Sequence, residues 1–301
     1  MRKTEPVRPT NEMTPTYRMI AIDLDGTLLS PTGKVTARTK AAVHRALDAG
    51  LLVCFATGRS WTESRTVLEA VDHYDTAVFV GGAMVVDTKK QVMLHRTMME
   101  PELARQLCGF LETRGHAAMA LQDPNASGGV DYLVSKSVAL NPATQVWMDV
   151  TDAQVRPTDG LSDYGHEHTV RVGTVAAPHA VATLKQALAE QFAERIFCQS
   201  IFVQAYDVDV LEVFDPSVNK WEGIKHVAAR HGIDPSQIIA VGDDVNDLHM
   251  IQHAGLGVAM GNGRPEAKAL AKRIIGSNKD DGLAEFLEEL VASGAVEKLR
   301  E

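Results

Sequence analysis

The sequence has few cysteines and no long hydrophobic run, and each shortage excludes a class of protein. Its three cysteines are widely spaced without a CxxC pair, which indicates buried free thiols in a reducing compartment rather than a disulfide framework. The longest nearly apolar run, residues 77–86, is far too short to span a membrane. Residues 1–16 contain three prolines and no apolar segment, so we expect a disordered tail rather than a signal peptide. These features predict a cytoplasmic protein.

Positive charge is also scarce, with 30 Lys and Arg against 39 Asp and Glu and a net charge of −9. Nucleic-acid binding is therefore not expected, because neutralising phosphates needs clustered basic residues. A small anionic substrate remains compatible with this charge, since it needs only local positive groups. The length of 301 residues suits two domains. Nothing in the pattern indicates an oligomeric state.

Short apolar runs alternate with helical patterns at both ends of the chain, which is typical of a parallel sheet covered by helices. The runs are residues 19–22, 51–55, 77–80, 211–214, 238–241 and 256–260. We predict an α/β, Rossmann-like core formed by residues 17–83 and 207–301. Residues 84–206 mix amphipathic and strand-like segments without this rhythm, and they predict an inserted α+β domain.

Polar side chains follow several of these runs. Asp23 and Asp25 come directly after the first run, Thr57 after the second, and Asp243 with Asp247 after the run at 238–241. Extended alternation would place Asp23 and Asp25 on the same side of the chain. An acidic turn is the plain alternative for this pair. Because the carboxyl ends of parallel strands meet at one edge, the later residues favour a common site.

Such a site could hold a hard divalent cation, since Mg²⁺ prefers carboxylate oxygens, waters and substrate phosphate oxygens. Lys220 begins a predicted helix, and its charge could reach the same edge. A carboxylate nucleophile, a hydroxyl, a lysine and a cation are what phosphoryl transfer through an aspartyl-phosphate requires.

Four motifs carry a family resemblance. They are DLDGT at 23–27, ATGR at 56–59, VNKWEGI at 218–224 and GDDVND at 242–247. Because the four motifs occur in this order, the chain resembles haloacid dehalogenase (HAD) superfamily phosphatases. More narrowly, it resembles their Cof-type (type IIB) branch, which has a large C2-type cap. The resemblance covers residues 17–290, and it makes the inserted domain a cap.

The resemblance implies catalytic roles for Asp23, Asp25, Thr57 and Lys220. Asp23 would be the nucleophile, while Asp25 would protonate the leaving alcohol and then deprotonate the attacking water. That role requires a protonated Asp25 beside an ionised Asp23, so their titrations should be coupled. Thr57 and Lys220 would hold phosphate oxygens.

The resemblance also implies binding residues. Substrate would contact Gly58 and Asn246, and Arg59 either clamps substrate or is a solvated residue at a helix start. Mg²⁺ would be held by Asp23, the backbone carbonyl of Asp25 and Asp243, with Asp247 orienting the metal shell.

Two positions depart from the family pattern. Gly81-Gly82 stands where Cof-type chains typically have Asn-Gly, so a side chain often near substrate is missing. Asp244 stands where many relatives have Gly or Ser, and it either strengthens cation binding or faces solvent. We expect substrate choice to come from two cap loops, residues 123–131 and 156–168.

The leading interpretation is an enzyme, a Mg²⁺-dependent phosphomonoesterase acting on a small phosphorylated metabolite such as a sugar phosphate. A phosphotransferase or phosphomutase similar to phosphomannomutases is the alternative, because the same aspartyl-phosphate can pass to an alcohol. A non-catalytic phospho-acceptor module of the receiver-domain kind is a third interpretation. Asp25 and the large insertion argue against it.

Overall fold

The computed structural model of the chain describes residues 16–297. The tail predicted to be disordered, residues 1–16, therefore lies outside the described residues except for Thr16. The strands, in chain order, are β1 (Met19–Ile22), β2 (Leu52–Phe55), β3 (Thr76–Phe79), β4 (Met84–Asp87), β5 (Val92–Arg96), β6 (Met119–Gln122), β7 (Tyr132–Ser135), β8 (Val155–Thr158), β9 (Thr169–Ala176), β10 (Phe197–Val203), β11 (Val208–Phe214), β12 (Ile238–Gly242), β13 (Leu256–Ala259) and β14 (Arg273–Ile274). The helices are α1 (Ala37–Asp48), α2 (Trp61–Val71), α3 (Pro101–Glu112), α4 (Pro142–Val150), α5 (Pro178–Phe192), α6 (Lys220–Arg230), α7 (Leu248–His253), α8 (Pro265–Leu270) and α9 (Gly282–Ala292).

A parallel sheet of order β14-β13-β12-β1-β2 forms the core. The central strand β1 pairs Ile22 with Val241 of β12 on one side and with Phe55 of β2 on the other. A bridge between Ala56 and Val78 continues the sheet to β3, which pairs antiparallel with β4 and, through it, with β5. Helices cover both faces, so β1, β2, β3 and β12 are buried throughout, which explains their continuous apolar sequences. The predicted α/β fold is confirmed.

The inserted region forms a six-stranded sheet of order β10-β11-β9-β6-β7-β8. Helices α3 and α5 pack on one face of it through buried side chains such as Leu107 and Leu184. Strand β11 contains residues 211–214, which the sequence analysis assigned to the core, but it pairs antiparallel with β9 and β10. An apolar strand has the same pattern in either sheet, so sequence alone does not separate these placements.

The pairings suggest revised domain boundaries. Strands β4 and β5 continue from the core through β3, whereas β11 completes the six-stranded sheet. We therefore propose that the cap runs from about residue 97 to residue 214 rather than from 84 to 206. No helix within residues 16–297 is long and apolar enough to cross a membrane. The described chain contains no disulfide, and Cys54 and Cys108 are buried thiols whose pKa values are raised by burial.

Candidate active site

The parallel sheet places Asp23 between two neighbouring strand ends. The Asp23 N–H donates to the Val241 carbonyl of β12 over 3.0 Å, and the Ala56 N–H donates to the Ile22 carbonyl over 2.9 Å. Because β1, β2 and β12 run in the same direction, the residues that follow each strand meet at one edge. Thr57 therefore lies on one side of Asp23, and Asp243 lies on the other.

A buried lysine connects Asp23 to the fourth motif. Lys220 is the first residue of α6, a helix start that the Asn219 side chain caps by accepting from the Glu222 N–H. The Lys220 Nζ donates to Asp23 Oδ1 and to Asp247 Oδ1, each over 2.6 Å. Lys220 and Asp247 are fully buried, and Asp23 is 4% exposed. The structure thus brings together three of the residues that the sequence singles out.

Asp247 has both carboxylate oxygens occupied. Its Oδ1 accepts from Lys220, while its Oδ2 accepts from the backbone N–H groups of Asp243 (2.9 Å) and Asp244 (3.1 Å). These bonds fold the 242–247 loop around one carboxylate. Asp247 consequently holds Lys220 and Asp243 in place, which agrees with an orienting role.

Asp243 packs directly against the first motif. Its Oδ1 accepts from the Thr27 hydroxyl over 3.2 Å. Gly26 has a φ of +79°, and a β-carbon there would collide with the Asp243 carboxylate, so only glycine suits this position. The Asn262 amide donates to the Gly26 carbonyl over 2.8 Å and braces the loop. Thr27 was not among the predicted site residues, although it is part of the DLDGT motif and contacts Asp243.

The negative charges of this cluster perturb one another. Burial raises the pKa of Asp23 well above its usual value, the charges of Asp247 and Asp243 raise it further, and Lys220 only partly opposes them. Burial, together with Asp247 and Asp244, raises the pKa of Asp243 to about 7. Burial alone would lower the pKa of Lys220, but the charges of Asp23 and Asp247 outweigh it and raise that pKa. The cluster therefore carries more negative charge than Lys220 balances.

The donor set fits a hard divalent cation. Carboxylate oxygens of Asp23, Asp243 and Asp247 lie within 4.8 Å of one another. Within residues 16–297, nothing donates a hydrogen bond to the second oxygen of Asp23 or of Asp243. Two such oxygens beside unbalanced negative charge are what Mg²⁺ prefers in proteins.

The Asp25 carboxylate lies apart from this cluster. Strand β1 ends at Ile22, and the chain turns over Leu24–Leu28 with Gly26 at a φ of +79°, so the strand predicted to carry both Asp23 and Asp25 does not continue. Asp25 is exposed, and it accepts a bidentate pair from Arg59, with Nε at 2.8 Å from Oδ2. The side chain that contacts Asp25 in the described structure is therefore Arg59 and not Asp23, and the acid role of Asp25 stays a prediction.

Thr57, Gly58 and Asn246 line the same edge from two sides. Thr57 is fully buried, and its hydroxyl oxygen accepts from the Arg59 N–H over 3.1 Å. A β-carbon at Gly58 would lie 3.8 Å from the Asn246 amide nitrogen, so the second and fourth motifs face each other here.

The two departures from the family pattern have local explanations. Gly81 (φ +63°) lies beside the Phe214 ring of β11, which would be 3.8 Å from a β-carbon at this position, an ordinary van der Waals contact. Asp244 forms an ion pair with Arg264 at 2.5 Å and accepts from the Val245 N–H over 2.6 Å. The Asp244 side chain thus acts on the site through its charge on Asp243, and its backbone N–H donates to Asp247.

Comparison with known proteins gives a consistent result for sequence and fold. Residues 20–287 match the family described as haloacid dehalogenase-like hydrolases. The chain is 30% identical over 275 residues to the 5-amino-6-(5-phospho-D-ribitylamino)uracil phosphatase YitU of Bacillus subtilis, covering 90% of this chain and 96% of that protein. It is 25% identical to the HMP-PP phosphatase of Serratia proteamaculans, covering 92% and 96% respectively.

Among solved structures, the chain resembles a sugar phosphatase of HAD subclass IIB. The TM-score is 0.73 at 19% identity, and the match covers 91% of this chain and 98% of that one. At this identity the likeness concerns the fold alone.

Proposed function

This chain is a phosphatase of the haloacid dehalogenase-like hydrolase family, in its Cof-type branch, and we propose that it hydrolyses a small phosphorylated metabolite with Mg²⁺ through an aspartyl-phosphate on Asp23. The contact that carries this proposal is the Lys220 ammonium, 2.6 Å from both Asp23 and Asp247. It fixes one oxygen of Asp23 and leaves the other without a donor in the described structure.

Asp23 and Asp243 would hold the cation through their second oxygens, together with the backbone carbonyl of Asp25. When bound, Mg²⁺ would neutralise the excess carboxylate charge and the charge of the phosphoryl group, which otherwise repel each other. Asp247 would contribute by fixing the backbone of Asp243, since both of its oxygens are occupied.

In the first step an oxygen of Asp23 attacks phosphorus, and the bond between phosphorus and the alcohol oxygen breaks. Thr57 and Asn246 hold phosphate oxygens from the neighbouring strand ends, and Lys220 keeps the Asp23 carboxylate oriented. Asp25 gives its proton to the departing alkoxide.

In the second step a water gives its proton to Asp25 and attacks phosphorus, and the bond to Asp23 breaks to release phosphate. To act as the acid, Asp25 would have to leave its ion pair with Arg59. The incoming phosphate is the anion that competes for this guanidinium. Arg59 would therefore bind substrate and release Asp25 in the same movement.

The relatives support a small-molecule substrate. Their names specify a ribitylaminouracil phosphate and HMP-PP, and the structural neighbour is a sugar phosphatase. A cytoplasmic location, proposed from the free thiols, suits such metabolites.

A phosphate-release assay tests the proposal. Purified protein is incubated with a panel of phosphometabolites in Mg²⁺ or in EDTA, and free phosphate is measured. We expect Mg²⁺-dependent release from at least one ester. Release from none of them would contradict a phosphomonoesterase, and an isomerised ester in place of free phosphate would identify a phosphomutase.

A further inference from the structure

Strand β10 forms one edge of the cap sheet. It pairs antiparallel with β11 along residues 197–203, and within residues 16–297 no other strand pairs with it. Along such a strand the N–H and C=O groups of alternate residues point to opposite sides. At least three of its seven residues therefore direct their backbone groups away from β11. Another strand could join the sheet here through backbone hydrogen bonds.

The β10 edge lacks the features that usually prevent such pairing. Its sequence is FCQSIFV, without charge, proline or glycine, and its register with β11 runs without a bulge. Charges, prolines and bulges are the common means by which proteins protect an exposed edge. The opposite edge of the same sheet, β8, has such protection in Arg156 and Pro157. Of the two edges of the cap sheet, β10 is thus the one suited to receive a strand.

Exposed apolar side chains are concentrated at the same edge. Phe197, Ile201, Phe202 and Tyr206 are four of the eleven large hydrophobic residues that are exposed in the described structure. Ile201 is 44% exposed and Phe202 is 54% exposed, and they lie on opposite faces because side chains alternate along a strand. Apolar surface therefore flanks the open backbone edge on both faces, and a second strand would bury part of it.

The turn between β10 and β11 lies away from the core. At the other end of β11, the Phe214 ring lies beside Gly81 of the core. The seven residues of β11 span about 20 Å, so the turn at residues 204–207 lies roughly that far from this contact. The half of β10 that is nearest the turn is thus accessible, in agreement with the exposure of Ile201 and Phe202.

Strand β10 is complementary to a second copy of itself. When two copies run antiparallel with all seven residues paired, a two-fold axis passes through Ser200, and every residue faces an uncharged one. Two identical charged strands would instead repel each other. Arg195, which precedes the strand, would approach the turn of the other copy, where Asp207 is the charged residue. The charges at both ends of the paired strands are therefore of opposite sign.

We propose that the chain forms a homodimer in which two β10 strands pair antiparallel about a two-fold axis at Ser200. The two cap sheets become one continuous sheet. Because β8 is protected, each cap sheet offers a single edge for pairing, and the assembly closes at two copies instead of growing into a fibre. The pairing concerns the cap alone and does not depend on which ester the active site takes.

Sedimentation velocity over a wide range of protein concentrations tests the pairing. We expect the wild-type chain to pass from one copy to two as concentration rises. Ile201→Lys puts a charge on the edge, as natural edge strands do. Because the dimer contains this position twice, the variant should associate at least about tenfold more weakly.

Val146→Lys is the matched control. Val146 is 40% exposed, close to the exposure of Ile201, so both variants add one charge at a half-exposed apolar position. It lies on α4, where the neighbouring Trp147 packs against Tyr132 of β7, near the opposite edge of the cap sheet. This variant should associate as the wild-type chain does.

A mixture of two variants tests the two-fold axis. In the proposed register the two copies of Ile201 are diagonal neighbours on one face, within reach of long side chains. Ile201→Lys and Ile201→Glu should each stay monomeric at a concentration where the wild-type chain dimerises. Mixed together, they should form a dimer, because unlike charges then face each other.

Three results would overturn the proposal. The first is a wild-type chain that stays monomeric at every concentration. The second is a dimer that Ile201→Lys leaves intact, since another surface would then form it. The third is a mixture that stays monomeric, since β10 would then not meet its own copy.

Hydrogen exchange of the wild-type chain decides if circular dichroism shows that the Ile201 variants do not fold. Backbone amides of β10 should exchange more slowly at concentrations where the dimer forms, because new hydrogen bonds protect them. Unchanged exchange of these amides in a wild-type dimer would equally overturn the proposal.

Discussion

Two buried cations in this molecule have opposite surroundings. In the core, Lys220 lies between Asp23 and Asp247 with Asp243 beside them, so one positive charge faces three carboxylates. In the cap, Arg171 pairs with Glu212 alone and also donates to the Tyr132 hydroxyl over 2.9 Å.

The difference extends to the hydrogen bonds. Both oxygens of Glu212 accept, one from Arg171 and the other from the Gln199 amide over 2.8 Å. In the core the pKa values of Asp23 and Asp243 are raised, and one oxygen of each has no donor in the described residues. Burial of a charge is common to both regions. We propose that uncompensated charge is what separates the candidate catalytic cluster from the balanced ion pair of the cap.

The largest expected effect comes from Asp23→Asn. This variant should lower kcat by about four orders of magnitude or more, because the amide is not a nucleophile. Its free energy of unfolding should stay the same or rise, since one of three crowded carboxylates becomes neutral. Phosphate release and urea unfolding measure the two quantities. In the cap, Glu212→Gln should show the reverse, a loss of stability with turnover retained by the folded protein.

Arg171→Met should cost about 3–5 kcal/mol in the free energy of unfolding, because it leaves Glu212 buried without its cation. Adding Glu212→Leu should restore much of that loss, since an apolar pair replaces a balanced ion pair. Urea denaturation of the single and double variants checks this. A double variant as unstable as the single one would show that the cap pair is not the self-contained unit described here.

Cation binding should stabilise the core alone. At 100 times its dissociation constant, Mg²⁺ would add about 2.7 kcal/mol to the free energy of unfolding. The folded pKa of Asp243, about 7, lies above its usual value, so without cation the folded state keeps a proton that the unfolded state has lost.

The sign of the pH effect follows. Cation-free stability should fall as pH rises from about 4 to about 7, and the stabilisation by Mg²⁺ should be larger at pH 8 than at pH 5. Thermal unfolding with and without Mg²⁺ measures both trends, and Asp243→Asn should remove most of the Mg²⁺ effect. Equal stabilisation at the two pH values would contradict the role given to Asp243.

The smallest effect concerns the Asp244–Arg264 pair at the edge of the core cluster. Both side chains are about half exposed, so Arg264→Ala should cost about 0.2–1 kcal/mol of stability. Screening in high salt should reduce the difference further. A loss of several kcal/mol in chemical denaturation would mean that this pair belongs to the buried cluster rather than to its surface.

The sequence was sufficient for the α/β class of the core and for the acidic residues at its strand ends. Parallel strands bring their carboxyl ends to one edge of a sheet, so Asp23, Asp243 and Asp247 could be expected to lie close together. Lys220 was predicted only to reach that edge from the start of a helix. The helix predicted to begin at Lys220 is α6, and the Asn219 side chain caps it.

Contacts that depend on exposed side chains or on strand pairing were not predictable. The pairing of Asp25 with Arg59 requires the turn over Leu24–Leu28, which local sequence did not reveal. Strand β11 was wrongly assigned to the core sheet. Its place beside β9 depends on its pairing partners elsewhere in the chain, and its own residues do not reveal them.

Direct detection of the phosphoryl group on the protein tests the central claim, that the unbalanced cluster performs phosphoryl transfer with Asp23 as nucleophile. Asp25→Ala protein, which lacks the group that activates water, is mixed with a ³²P-labelled ester in Mg²⁺, quenched in acid and digested. The account predicts a hydroxylamine-labile label on the peptide that contains Asp23, and none after Asp23→Asn is added. Label on another residue, or an Asp23→Asn protein that still hydrolyses the ester, would contradict it.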